Sequence, residues 1–213
     1  MNEDSLVALK DVWKYNKQKG KWRQAMGSEK IERIERKLIA KGKIVDYYQD
    51  TVKIPNGNVA VWDFIWNKGA AAVVPVRDDG KIIMVRQYRN AIDRETIEIP
   101  AGGLNTPQEP TLDAAARELE EETGFKSEDL ELLISIETTV AFCNEGIDIY
   151  VARNLKPSKQ NLDEDEFINV EAYSVEELCD MIYAGKIEDS KTVAAILAYK
   201  NKFVRNTYIS IKA

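Results

Sequence analysis

Glu118, Glu121 and Glu122 fall within one helical turn of each other in the run Arg117-Glu118-Leu119-Glu120-Glu121-Glu122-Thr123-Gly124-Phe125. On a helix, Glu118 and Glu122 are i and i+4, and Glu121 is i+3 from Glu118, so the three carboxylates share one face. Like charges at these spacings repel by about 0.2–0.5 kcal/mol per pair. They also stand near the C-terminal end of the helix, where the macrodipole disfavours anions. A chain shaped by stability alone would avoid this arrangement, and a divalent cation would reverse the sign of the problem. An all-oxygen ligand set favours Mg²⁺ or Mn²⁺ over zinc. Mg²⁺ keeps several waters and recruits substrate phosphates, which points to a phosphate-bearing substrate.

The pattern reaches back along the chain. Gly103 is followed after five residues by Glu109, and Glu109 after seven by Arg117. Gly102-Gly103 lets the backbone approach a cation closely, with a carbonyl at Gly102 as a further ligand. A bidentate Arg117–Glu109 pair would pin the loop against the helix and hold the ligands. The acids Glu120-Glu121-Glu122 alone would be a solvated face. The full pattern fixes seven residue types and two apolar positions, a chance match on the order of one in a million.

The 213-residue chain contains no histidine. Ser-His-Asp and Cys-His hydrolysis and His-ligated zinc are thereby excluded, and 36 Asp and Glu residues make carboxylates the available chemistry. A net charge of −6 argues against nucleic-acid binding. No apolar run approaches the roughly 20 residues that span a bilayer, and Met1–Lys10 lacks the apolar centre of a signal peptide. A cytoplasmic protein without a membrane partner is expected. Cys143 and Cys179 read as reduced, partly buried thiols.

Elements that could position the acids follow from the hydrophobic pattern. Ser28–Ala40 carries Ile31, Ile34, Leu38 and Ile39 at helical spacing, so residues 1–41 read as a helical extension of one or two amphipathic helices. Residues 44–54 and 58–66 flank Pro55-Asn56-Gly57 as a hairpin. Two apolar strands surround Asp78-Asp79-Gly80, and a short one runs over 97–99. Residues 110–123 form a helix with Gly124 just beyond its end. Strands over 130–140, 146–153 and 167–173 follow, with an acidic loop over 156–166. A capping box at Ser174–Glu177 opens a helix to Ala184, and a last helix spans 190–203. The sum is an α+β domain with a mixed sheet.

Gly103 to Phe125 resembles the Nudix box at every position of the pattern. The resemblance implies a Nudix α/β/α sandwich and hydrolysis of a nucleoside diphosphate joined to another group. By similarity Glu118 and Glu122 are the main metal ligands, Glu121 assists directly or through water, and Gly103, Glu109, Arg117 and Gly124 support them. Val85-Arg86-Gln87-Tyr88-Arg89, Glu98-Ile99-Pro100-Ala101-Gly102, Leu162–Phe167 and Gly185–Thr192 are similar to segments of the bacterial ADP-ribose pyrophosphatases. That likeness covers about residues 43–200. It implies that Arg89, and secondarily Arg86, contact the diphosphate, that Glu98 lies in the substrate pocket, and that a loop glutamate handles the attacking water. Glu164 is the first choice for that base and Glu166 the second. Trp62, with Trp66 and Tyr47, is a candidate for stacking on adenine. Residues 42–67 correspond to strands through which that family forms an exchanged homodimer, and residues 68–213 to the Nudix hydrolase domain.

The departures are local. Thr139-Val140-Ala141 stands where the family often has Ser-Pro-Gly, Asn67-Lys68-Gly69 replaces the usual His-Pro-Gly, and the loop before Glu109 lacks its usual glycine. The expectation is Mg²⁺-dependent hydrolysis of ADP-ribose to AMP and ribose 5-phosphate. Two alternatives stand beside it: another nucleoside diphosphate sugar such as GDP-mannose, or a catalytically silent Nudix module that only binds a nucleotide.

Overall fold

The computed structural model describes residues 31–162, 164 and 166–204. The described residues divide into two compact units, one of residues 31–39 and 48–63, the other of residues 40–47, 64–162, 164 and 166–204.

The first unit centres on a three-stranded sheet, in the order β1 (Glu32–Lys41), β2 (Asp46–Lys53), β3 (Val59–Trp66). The β2–β3 turn is the expected one: Gly57 sits at φ 88°, a left-handed conformation natural to glycine. The helix expected to Ala40 is a strand from Glu32 onward. Strand alternation puts Ile34, Arg36 and Leu38 on one face and Ile39 on the other. Arg36 grips the buried Asp50 of β2 at 2.7 and 2.6 Å. This cross-strand pair overrides local helix propensity. The part of the helical expectation within residues 1–30 lies outside the described residues.

The second unit is the expected sandwich. Its strands are β4 (Ala70–Pro75), β5 (Ile82–Arg89), β6 (Arg94–Glu98), β7 (Ala101–Gly103), β8 (Phe125–Lys126), β9 (Asp129–Glu137), β10 (Gly146–Arg153), β11 (Lys156–Pro157) and β12 (Asn169–Tyr173). Its helices are α1 (Thr111–Thr123), α2 (Val175–Tyr183) and α3 (Ser190–Tyr199), which runs into a π turn over Lys200–Val204. One mixed sheet has the order β7-β4-β10-β9, with β10 parallel to β4 and the other pairs antiparallel. An antiparallel sheet has the order β12-β5-β6.

β4 is buried along its whole length because both faces are covered. Ala71 and Val73 pack with Ala114, Ala115 and Leu119 of α1. Ala72 and Val74 join the core formed with Leu178 of α2 and Ala195 and Ile196 of α3. Helix α1 ends as its sequence dictates: Gly124 adopts φ 71°, and its N–H closes on the Glu120 carbonyl at 2.9 Å. Among the described residues no helix is long and apolar enough to cross a membrane.

Leu119 is fully buried between the acids of α1. Leu119→Ala is expected to cost about 3 kcal/mol of stability, measured by urea unfolding; a change below about 1 kcal/mol would contradict this packing.

Candidate active site

The packing of Ala115 and Leu119 on β4 sets the rotation of α1 and carries Glu118 and Glu122 inward, to 7% and 3% exposure. Both meet the turn that forms β7. The Ala101 N–H donates to Glu122 Oε2 at 3.0 Å. Gly102 lies so close to Glu118 that a Cβ at this position would fall inside its carboxyl group. Any side chain at 102 would expel one of the acids, which explains the glycine.

Arg117 donates through one nitrogen to Glu118 Oε1 at 2.6 Å and to Glu121 Oε2 at 2.9 Å, and through another to the Gly103 carbonyl at 3.2 Å. Its Nε stands 3.5 Å from Glu109 Oε1 and is buried without a hydrogen-bond partner. Glu109 instead accepts from the Asn105 backbone N–H and side chain. The expected bidentate Glu109–Arg117 pair is thus one loose approach, because acids on the same helix, at i+1 and i+4, compete for the guanidinium. Glu121 is half-buried beside Arg117, and among the described residues no three acidic side chains form a ready-made metal cage. The inward pair is Glu118 and Glu122.

Burial pushes the Glu118 carboxyl up to about 7, against the opposing pull of Arg117. Burial, then the neighbouring Glu118 charge, pushes Glu122 up to about 8, while the Ala101 N–H and Arg89 pull it down. The Glu166 charge raises both. Both loop glutamates, Glu164 and Glu166, are exposed, and the charge of Glu166 acts on the two acids.

Arg89, at the end of β5, lines a cleft of about 390 Å³ with Gly102, Gly103, Thr138, Glu145 and Lys191. It pairs side-on with Glu98, Nε to Oε1 at 2.7 Å and its terminal nitrogen to Oε2 at 2.6 Å. Thr96 donates to Oε1 at 2.6 Å, and Lys191 donates to Oε2. A carboxylate offers about four acceptor positions, and these four donors take them all. Glu98, expected in the substrate pocket, has the geometry of an internal counter-ion. Burial alone would raise its carboxyl, but Arg89 and Lys191 outweigh it and hold it at about 2.

Arg86 is not brought to this cleft. It is three residues from Arg89, so strand alternation sends it to the opposite face, where it pairs with Glu171 at 2.9 and 3.1 Å. There it lines a second cleft with Arg94, Tyr173 and Lys186. Trp62 is 45% exposed on β3 in the first unit. Sequence reasoning missed Lys191, Thr138 and Glu145 as lining residues. Lys191 lies in a segment singled out for its resemblance, but nothing in a sequence reveals that a lysine is buried.

Residues 66–196 match the family model described as the NUDIX domain. The chain belongs to the Nudix family. It is similar to the ADP-ribose pyrophosphatase of Bacillus subtilis (strain 168), at 38% identity over 173 residues, 78% of this chain and 93% of that protein. It is similar to the methanol dehydrogenase activator of Bacillus methanolicus, at 39% identity over 165 residues, 76% of this chain and 89% of that protein. A solved structure described as an ADP compounds hydrolase shares the fold, with TM-score 0.73, 21% identity, and coverage of 83% of this chain and 96% of that one. This chain is an enzyme of the Nudix family.

The residues present fit the divalent metal that Nudix hydrolases use. Two desolvated carboxylates of like charge face a glycine cradle, and a Mg²⁺-type ion needs only one or two carboxylates beside waters and phosphates. The pH dependence follows from the same geometry. Below the ordinary value of 4.5 folded and unfolded chains both hold these protons. Above it the unfolded chain releases them, while the folded one keeps them to about 7 and about 8, so burial destabilises increasingly across that window. Glu98 works the other way, its contribution being lost as pH falls from 4.5 toward about 2. The Tm of chelator-treated protein is therefore expected to fall between pH 5 and 8, and Mg²⁺ is expected to reduce that fall. A Tm that stays flat or rises across this range without metal would contradict the burial of the pair.

Proposed function

We propose that this enzyme hydrolyses the diphosphate of ADP-ribose to AMP and ribose 5-phosphate with Mg²⁺, for which Mn²⁺ can substitute. The observation that carries the proposal is the buried Glu118–Glu122 pair, set against Gly102 in the unit whose cleft holds Arg89. The similarity to the ADP-ribose pyrophosphatases of Bacillus subtilis and Mycobacterium tuberculosis supports the substrate.

Glu118 and Glu122 would hold the ion with the Gly102 carbonyl, and Glu121 would assist directly or through water. When bound, the ion neutralises diphosphate charge and acidifies the attacking water. Arg89 keeps its outer guanidinium edge for the phosphates, because Glu98 occupies the other edge. A water oxygen forms a new bond to phosphorus while the bridging P–O bond breaks. Glu166 takes the water proton, a role supported by the reach of its charge to both buried acids. The bridging oxygen leaves with one product phosphate.

We further propose a cytoplasmic homodimer formed through the first unit. The exposed apolar side chains Ile34, Leu38, Val59 and Val61 on its sheet support a second copy as the partner. The net charge of −6 argues against nucleic acid, while a bound cation would let a small anionic substrate approach.

Purified protein with Mg²⁺ is expected to release AMP from ADP-ribose with the highest kcat/KM in a panel that includes GDP-mannose. Glu166→Gln is expected to lower kcat by about 10²–10⁴-fold, and Glu164→Gln by less than about threefold. No AMP from ADP-ribose would overturn the substrate, and a larger loss at Glu164 than at Glu166 would overturn the assignment of the base.

A further inference from the structure

We propose that Lys191, acting through Glu98, is a positioning residue that fixes Arg89 for the phosphates of the substrate. The proposal rests on the hydrolase function above and adds a residue that touches no substrate.

A lysine is rarely buried unless its charge is paired. Lys191 is 8% exposed, and its ammonium donates to Glu98 Oε2 and stands 3.0 Å from Asp189 Oδ2. Asp189 is no loose partner. It caps α3, accepting the Thr192 N–H at 2.9 Å and the Thr192 hydroxyl at 2.6 Å. Thr192, fully buried, in turn accepts the Ile99 N–H at 3.0 Å. The first turn of α3 thus grips the end of β6 at two successive residues, Glu98 by its side chain and Ile99 by its backbone. Two residues further on, Ala101 and Gly102 hold the inward acids of α1.

The consequence falls on Arg89. A flexible arginine at a strand end samples many rotamers, and ordering one costs conformational entropy. Here the guanidinium is caught side-on by a carboxylate that cannot turn, because Lys191 and Thr96 hold its two oxygens from the other side. What remains for a ligand is the opposite guanidinium edge, presented in one orientation to the cleft that Arg89 lines. Lys191 itself is a poor direct contact: two of its three donors are taken, and its side chain is 11% exposed. A stabilising role alone is also a poor explanation, since buried ion networks are often matched or bettered by apolar packing.

The test compares wild type with Lys191→Met, which keeps an unbranched side chain one atom shorter and removes its charge, and with Lys191→Arg, which can still reach both carboxylates. Two readouts are used on the full chain: kcat and KM for ADP-ribose with Mg²⁺, and hydrogen exchange of the Arg89 Nε–H by NMR without substrate. Lys191→Met is expected to raise KM about tenfold with kcat within about threefold, to speed Arg89 Nε–H exchange, and to remain folded by circular dichroism. Lys191→Arg is expected to restore most of both. Unchanged exchange in Lys191→Met overturns the proposal whether or not ADP-ribose is the substrate, because that readout needs no turnover. A changed exchange with unchanged KM also overturns it, by separating the clamp from substrate binding. If wild type does not cleave ADP-ribose, the substrate assignment fails on its own, and the exchange experiment still decides the positioning role.

Discussion

Placing two carboxylates of like charge side by side out of water is the constraint around which this structure is organised. Glu118 and Glu122 are one turn apart on α1 and nearly without solvent; burial makes both harder to ionise, and the Glu118 charge adds to this for Glu122. Desolvation of this kind is among the most expensive local arrangements a protein carries. It persists because the surroundings leave the acids no other position. Leu119, fully buried between them, locks the rotation of the helix onto β4, and the chain at Ala101 and Gly102 closes over the pair from the other side. The costly pair is the one proposed to hold the metal, and the hydrophobic core supplies the rigidity that holds it.

Positive charge is distributed with comparable specificity. Arg117 answers Glu118 and Glu121 from the exposed side of the helix, while Arg89 and Lys191 share Glu98 on the wall of the cleft. Glu98 separates the two tasks. It shares the buried lysine with Asp189 and holds Arg89 on one edge only, so the cleft has one oriented guanidinium edge to offer an anion. The inward acids and this guanidinium are the two kinds of group that hydrolysis of a diphosphate requires: one to hold a cation, the other to hold phosphate.

Much of this was legible in the residues. The box from Gly103 to Phe125 identified α1, its left-handed cap at Gly124 and the two inward acids, because helical spacing converts directly into shared faces. The turns at Gly57 and Gly80 and the capping box at Ser174 were equally direct, since each depends on local chemistry. What failed was set by distant partners. The strand over Glu32–Lys41 carries apolar residues at helical spacing, and its pairing with β2 and the Arg36–Asp50 contact override them. Arg86 was grouped with Arg89 although an odd spacing on one strand sends them to opposite faces. Glu98 was taken for a substrate ligand because a sequence does not show that Lys191, 93 residues away, and Thr96 complete its acceptors. Among the loop acids, the choice between Glu164 and Glu166 depends on which carboxylate reaches the attacking water, which composition does not encode.

The central claim is that the Glu118–Glu122 pair exists to bind a divalent cation. Its most direct test is Mn²⁺ binding to the substrate-free enzyme, followed by electron paramagnetic resonance, in wild type and in Glu122→Gln. The account predicts saturable binding in wild type, competed by Mg²⁺, and an affinity at least about tenfold weaker when Glu122 becomes an amide. Equal affinity in the two proteins, or no bound Mn²⁺ in wild type at saturating concentration, would contradict it.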